Sequence, residues 1–428
     1  MLGASAFAID NIKVSGDAKL FYNTSNADYT VTNSAVLNEK ASGLFDQGAS
    51  AADTALRLAV TGDLTKGVSF GATAYAVSTL GLENNLVSNT WTGAHSANNG
   101  VNDAAWMGEL WIAATAGKTT AKLGRMELDT PLAFSEKWSI VPNTFDAAVV
   151  INQDLPDTTL VGAFVGKGNG FNAGNRSLFG YDNNASVGFD GMGKNAEFGT
   201  FADKGAYAVA AINNSFKPLV AQAWYYNVVN VADAYWLQAD WDCQLVKDVK
   251  VGVQYANLDP KGAINTAKDS SGYAVKLAYT GVENLKLSAA YSSTDKDGTL
   301  KIANVATDNL GLLVAAGHYA AQSKLYTEAN WNYGYVGAAG ADSYMVLAEY
   351  NAGIAKFAAQ YTDVTAKARN VVTSTDMTEV ALTASKSFGP LDATLAYIST
   401  DADDQNIKAG ETTGSRYDTL QAYLTLNF

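Results

Sequence analysis

The sequence predicts an all-β fold: a transmembrane antiparallel β-barrel of 18 strands, with short turns at one end and long loops at the other. Three observations support this fold. Apolar and polar residues alternate with the period of a strand in many segments. Short and long connections alternate between those segments. No apolar run approaches the roughly 18 residues that a membrane-spanning helix needs, and no linker-like segment divides the 428 residues.

The strand count follows from the alternating segments. Eight hairpins with short turns run from 54–77 to 376–399, one strand (12–22) precedes them, and one strand (416–428) follows, which gives 18 strands. An even number returns both termini to the same side, as a closed antiparallel barrel requires. The last strand shows the pattern clearly, with leucines at 420, 424 and 426 on one face.

The connections have the asymmetry of an outer-membrane barrel. The short turns lie at 63–67, 116–117, 153–157, 213–217, 243–247, 281–283, 352–353 and 388–391. The long connections lie near 23–53, 78–103, 126–144, 167–204, 258–270, 294–342, 364–375 and 400–415. We interpret 294–342 as one long loop, although 310–314 and 324–331 could form a further hairpin.

The composition of the two strand faces favours a barrel in lipid over a soluble sandwich. One face is rich in Ala, Leu and Val, with Tyr and Trp near strand ends, as expected of an aromatic girdle. The other face carries Thr, Gln, Lys and Asp along whole strands, which predicts a wet interior. Barrel closure also removes the strand edges that would otherwise aggregate.

The two ends of the chain indicate export to a bacterial outer membrane. Residues 1–8 resemble the end of a signal peptide, with Ala6-Phe7-Ala8 in the small-x-small form of a cleavage site. The barrel domain is then 9–428. Phe428 ends an alternating strand, and we expect it to serve as the assembly signal. The expected partners are outer-membrane lipid, lipopolysaccharide and the barrel assembly machinery.

Charge and rare residues exclude several function classes. The net charge of −13 and the pI of about 4.6 argue against nucleic acid as a partner, since phosphate binding needs clustered Lys and Arg. The chain has one cysteine, Cys243, and two histidines, His95 and His318, so we expect no metal site and no cofactor. His318 is the one plausible catalytic base, without a nucleophile motif, so an enzyme is not expected.

Strand parity assigns ten charged residues to the inner face of the barrel. Opposed rows of charge across an aqueous gap orient dipolar solutes and set ion preference. Parity reports which face a residue occupies, not its depth, so any of them could lie away from the narrowest point. The predicted lumen residues are Asp17, Arg57, Glu109, Lys122, Asp240, Lys276, Lys286, Glu349, Lys356 and Glu379.

The most distinctive motif is Gly124-Arg125-Met126-Glu127-Leu128-Asp129-Thr130-Pro131, followed by Pro142-Asn143-Thr144-Phe145. It resembles the third long loop of the OprD-type porins, and the architecture is similar to that of the related campylobacterial major outer membrane porins. In the OprD family this loop folds into the barrel and narrows the pore. The resemblance makes four residues candidates for the constriction: Glu127, Asp129, Glu136 and Lys137. Asp129-Thr130-Pro131 could equally be a turn without solute contact.

The resemblance implies a porin for passive diffusion of ions and small polar solutes, as a homotrimer. OprD-type channels favour carboxylates through an arginine ladder, but this chain has only five arginines. Lysines lack the bidentate geometry of arginine, so a weakly cation-preferring general pore fits the acidic composition better. A substrate-selective channel for carboxylates or amino acids and a structural or adhesive barrel remain alternatives.

Overall fold

The computed structural model describes residues 9–27, 43–78, 80–82, 104–138, 140–169, 198–200, 204–307, 321–366, 376–408 and 411–428. The predicted signal-peptide remnant (1–8), His95 and His318 lie outside these residues.

The described residues form 19 strands and three 3-10 turns. The strands are β1 (Asp10–Ser25), β2 (Ser50–Thr65), β3 (Val68–Ser78), β4 (Ala104–Ala116), β5 (Thr119–Met126), β6 (Phe145–Asn152), β7 (Thr158–Gly168), β8 (Gly199–Thr200), β9 (Ala206–Asn213), β10 (Leu219–Val228), β11 (Ala232–Asp242), β12 (Val249–Pro260), β13 (Ser270–Val282), β14 (Leu285–Thr294), β15 (Ala341–Asn351), β16 (Lys356–Ala366), β17 (Met377–Phe388), β18 (Leu391–Ala402) and β19 (Tyr417–Asn427). The 3-10 turns are Gln47–Ala49, Gly262–Ile264 and Tyr333–Tyr335.

The wall of the barrel consists of 18 of these strands, each paired antiparallel with its neighbours. β7 pairs directly with β9, and the two-residue β8 adds only to the end of β7. β1 pairs with both β2 and β19, which closes the barrel. The predicted fold class and strand number are therefore confirmed.

Phe428 completes the seam between the first and last strands. The backbone N–H of Gly16 donates to the Phe428 carbonyl at 2.8 Å, and the Phe428 N–H donates back to Gly16 at 3.0 Å. The chain terminus is therefore fixed by the same hydrogen bonds that close the barrel.

One long-loop connection is much shorter than the sequence pattern predicts. Seventeen connections join 18 strands, but the sequence shows only eight short and eight long ones. The remaining connection is Val229–Val231, between β10 and β11, where Asn230 adopts a φ of +62°. The prediction of long connections throughout this end was wrong here. Asn tolerates the left-handed conformation of a tight turn, and the surrounding run of apolar residues concealed it.

The outer face of the wall is apolar and exposed, as strand parity predicts for contact with lipid. Leu123 is 68 % exposed and Leu395 is 61 % exposed, and tyrosines such as Tyr344 lie nearer the long-loop end. Among the described residues, no helix is long and apolar enough to span a membrane.

The inner face differs from the predicted wet interior. Trp224, Trp236 and Leu258 point inward from β10, β11 and β12 and are buried. They belong to a hydrophobic cluster with Leu132 and Leu325, which come from two connections folded into the barrel. Part of the lumen near the long-loop end is thus a packed core.

Candidate channel constriction

The first inward segment (127–144) joins β5 to β6 and forms a compact turn. The Thr130 hydroxyl donates to the Ala133 carbonyl at 2.7 Å, and the Ser135 N–H donates to the Leu128 carbonyl at 2.8 Å. Leu132, at the tip, is 1 % exposed within the inner core. Asp129-Thr130-Pro131 therefore forms the turn, and Asp129 also pairs with Lys324 of the connection between β14 and β15.

The second inward segment (295–340) joins β14 to β15. Its described residues, 295–307 and 321–340, contain no strand, so 324–331 does not form the alternative hairpin, and 310–314 lies outside the described residues. The Gln254 side chain of β12 donates to the Lys324 carbonyl at 2.9 Å and accepts from the Tyr326 N–H at 3.0 Å. The described part of this segment therefore lies inside the barrel.

Tyr326 fixes the second inward segment to the wall at a glycine. Its hydroxyl donates to Asp240 at 2.7 Å, and the Lys276 ammonium lies 3.8 Å from its ring centroid. Gly252 lies between these residues on the neighbouring strand, and a Cβ there would approach the Tyr326 ring to 2.6 Å. The absent side chain leaves the space that the ring fills.

We expect Gly252→Ala to displace Tyr326 and to destabilise the folded protein by about 1–3 kcal/mol, the usual cost of overpacking. The midpoint of thermal unfolding in detergent, read from electrophoretic mobility, should fall. Gly162→Ala is the matched control, because no atom lies within 4 Å of its added Cβ. Equal midpoints for the two variants would contradict the contact.

Glu136 links the two inward segments and is buried. Its carboxylate accepts hydrogen bonds from Trp138 Nε1 at 2.9 Å, Asn304 Nδ2 at 3.0 Å and the Gln322 N–H at 3.0 Å, and also from the Thr307 hydroxyl. Burial raises its pKa, although the hydrogen bonds oppose this. Glu136 therefore joins the two inward segments from a buried position.

Glu379 holds the second inward segment against β17. Its carboxylate accepts the backbone N–H groups of Asn330 at 2.7 Å, Trp331 at 3.1 Å and Asn332 at 2.8 Å, and the Asn332 side chain at 2.8 Å. The predicted inward direction is observed, but the residue is 1 % exposed. Glu379 is a structural anchor beneath the loop.

We expect the docking of the second inward segment to depend on pH through Glu328. Burial, reinforced by the charge of Glu136, raises the pKa of Glu328 to about 8 from the usual 4.5, and nearby Lys324 only partly opposes this. Because the pKa of Glu328 is higher in the folded protein than in the unfolded chain, its protonated carboxyl stabilises the docked segment. This stabilisation is complete below the unfolded pKa and is lost as the pH rises through 8.

We therefore expect current fluctuations in single-channel recordings to increase between about pH 5 and about pH 9. Glu328→Gln mimics the protonated carboxyl and should remove most of that increase. A wild-type trace that is equally quiet across this range, with folded protein, would contradict the docking role of Glu328.

Most predicted charges of the lumen occur as ion pairs. Arg57 Nε lies 2.5 Å from Asp17, and Lys137 Nζ lies 2.6 Å from Glu127. Three further pairs occur: two lie on the opposite wall, and one joins the two inward segments. These are Lys276–Asp240 at 3.6 Å, Lys286–Glu349 at 2.5 Å and the Lys324–Asp129 contact between the inward segments. Each of the three charged residues Glu127, Asp129 and Lys137 in the first inward segment is therefore in an ion pair.

Besides Glu379, three predicted lumen residues have no ion-pair partner among the described residues. Lys122 lies over the Trp111 ring at 4.1 Å, and Glu109 accepts a hydrogen bond from Thr73 at 3.1 Å. Lys356 is exposed at the start of β16. The structure brings Lys122 and Glu109 to the same flank of the lumen and leaves Lys356 on another.

Sequence reasoning missed the residues that meet between the two inward segments. The Trp138 ring contacts Trp331 edge-on, with centroids 5.9 Å apart, and Trp331 lies 6.4 Å from Phe21 of β1. Lys324 was also missed. Tryptophan is rare in the chain, and Trp138 and Trp331 both lie within connections between strands. This was the sequence signal that could have identified them.

Comparison with known proteins supports the fold. No protein-family model and no curated protein sequence matches the chain. Similar solved structures include Pseudomonas aeruginosa OccK8 (OprE), with a TM-score of 0.69 and 15 % identity over 98 % of both chains. Pseudomonas aeruginosa OpdK with vanillate has a TM-score of 0.69 and 12 % identity, and Acinetobacter baumannii OccAB3 has 0.67 and 13 %; each covers 98 % of this chain and 100 % of its own. The resemblance to OprD-type porins is confirmed at the level of the fold.

Proposed function

We propose that the protein is an outer-membrane porin for passive diffusion of ions and small polar solutes. The observation that carries this proposal is the exposure of ionised side chains inside a barrel whose outer face is apolar. Side chains of Lys286 and Glu349 are 50 % and 42 % exposed, and that of Asp129 is 86 % exposed. Water therefore reaches the interior on both sides of the inward segments. No reaction is part of this function.

The pairing of lumen charges favours a general pore over a carboxylate-selective channel. OpdK, which has the same fold, was crystallised with vanillate. In the present chain, six lumen cations each have a carboxylate partner, whereas Lys122 and Lys356 have none among the described residues. A carboxylate solute would have to compete with these partners.

Liposome swelling tests the proposal. Proteoliposomes should swell in isosmotic solutions of small amino acids and polyols at rates that fall with solute size. A porin specific for carboxylates would instead admit anionic solutes far faster than neutral ones of equal size. If liposomes that contain folded protein swell in no small solute, the porin proposal is contradicted. A structural or adhesive barrel is then the remaining interpretation.

Ion preference should be weak and towards cations. Lys122 and Lys356 are the residues to change, because neither has a carboxylate at ion-pair distance among the described residues. We expect Lys122→Glu to shift the reversal potential under a salt gradient further towards cation selectivity. Lys247→Glu, at an exposed short turn, is the charge-matched control. A larger shift for the control would contradict the placement of Lys122 in the ion path.

The assembly partners belong to the same proposal. Short turns and both termini would face the periplasm, with lipid and lipopolysaccharide around the wall. The barrel assembly machinery would recognise Phe428, and three copies would form the homotrimer. Cross-linking of the protein in native membranes would give a trimer ladder, and a monomer alone would contradict the trimer.

A further inference from the structure

The two inward segments meet at a fixed pair of tryptophans inside the lumen. Trp138 and Trp331 pack at 82° with centroids 5.9 Å apart, and both remain partly exposed. Two buried carboxylates fix them: Glu136 accepts from Trp138 Nε1, and Glu379 accepts from the Trp331 backbone N–H. A rigid aromatic surface therefore stands where the channel is narrowed.

Two wall residues support this surface: Phe21 is buried behind it, and Tyr423 is partly exposed. Phe21 lies 6.4 Å from Trp331, and Tyr423 stacks on Phe21 at 4.4 Å. The Tyr423 hydroxyl donates to the Trp138 carbonyl at 2.8 Å, which joins the wall to the first inward segment. We call the three partly exposed residues the aromatic shelf (Trp138, Trp331 and Tyr423).

The polar groups beside the aromatic shelf are ion pairs. On the inner face of β1, Lys19 and Asp17 follow Phe21 towards the short-turn end, and Lys19 lies 3.7 Å from Asp17. Asp17 also pairs with Arg57 at 2.5 Å. On the other side, Lys137 adjoins Trp138 and pairs with Glu127 at 2.6 Å. Three cations share two carboxylates here, so donors and acceptors lie side by side with one positive charge in excess.

We propose that the aromatic shelf is a binding subsite for neutral carbohydrates in transit. A sugar ring presents C–H groups, which pack on the negative face of an indole. Its hydroxyls both donate and accept, so they match paired charges better than a single ion does. An anionic solute gains less, because each cation already has a carboxylate at contact distance. This inference rests on the proposed channel function.

The test is single-channel recording in a planar bilayer, with maltotriose added on one side. Sugar residence at the aromatic shelf should interrupt the ion current briefly and in proportion to concentration. Polyethylene glycol of similar size, which has no ring to stack, is the control solute, and benzoate is the anionic competitor. Current steps without added solute report the channel function separately.

Variants separate the aromatic face from the hydrogen bond of Trp138. Trp138→Leu and Trp138→Phe both lose the contact to Glu136, but only Phe keeps an aromatic face. We expect the double variant Trp138→Leu with Trp331→Leu to weaken block of the current by the sugar about tenfold. The double variant Trp138→Phe with Trp331→Phe should retain most of the block. Trp241→Leu, outward-facing on β11, should leave block unchanged.

The proposal is overturned if maltotriose produces no more block than polyethylene glycol while the channel conducts. Block by benzoate that exceeds block by the sugar, and survives the double Leu variant, would also overturn it. Absence of any current steps from folded protein would instead contradict the channel function itself.

Discussion

Removing the second inward segment is expected to increase single-channel conductance severalfold. Replacement of residues 296–339 by a short Gly-Ser turn would join β14 to β15 directly. The barrel ladder would remain, whereas the contacts to Gln254, Asp240 and Glu379 would be lost. Conductance should rise because the segment occupies the lumen. The measurement is the step size in planar bilayers, from protein that keeps its heat-modifiable mobility.

Glu379 provides the point-mutation control for that result. Glu379→Ala leaves three backbone N–H groups without their acceptor, so the segment should loosen and the current become noisy. Lys386→Ala, on the outer face of the same strand, should leave conductance unchanged. If both the deletion and Glu379→Ala conduct like the wild type, the segment does not narrow the channel.

Substitution of Glu136 is expected to give the largest loss of stability by a single residue. Glu136→Ala removes the acceptor of four hydrogen bonds, and burial prevents water from replacing it, so we expect about 3–5 kcal/mol. Glu136→Gln should cost less, about 1–3 kcal/mol, since Asn304, Thr307 and Gln322 all donate to one oxygen that the amide retains.

Urea unfolding in detergent micelles, followed by tryptophan fluorescence, measures the effect of Glu136 substitution. The fluorescence of Trp138 should also change in Glu136→Ala, because its indole N–H loses its hydrogen-bond acceptor. Equal destabilisation by Ala and Gln would show that the negative charge, and not the set of acceptors, is what the site requires.

Strand periodicity predicted the wall well because each strand obeys one local rule. In β19, apolar residues at alternate positions face lipid irrespective of what lies inside the barrel. The inward position of the first inward segment was also predicted, through its motif. Parity likewise placed Glu379 and Asp240 on the inner face.

The contents of the lumen were not predictable in the same way. Gly252 is a glycine because Tyr326, 74 residues later, needs the space, and no local pattern shows this. Glu379 has the parity of a wet lumen residue, but the second inward segment buries it. How deep a side chain lies and what it contacts depend on tertiary contacts between distant connections. Which face of the sheet it occupies depends on the strand alone.

The most direct test of the central claim is a recording of the purified full chain in a planar bilayer. An aqueous channel narrowed by two inward segments predicts discrete, ohmic current steps, with a small reversal potential towards cations under a salt gradient. The absence of steps from correctly inserted, heat-modifiable protein would contradict it and indicate a barrel sealed by its own interior.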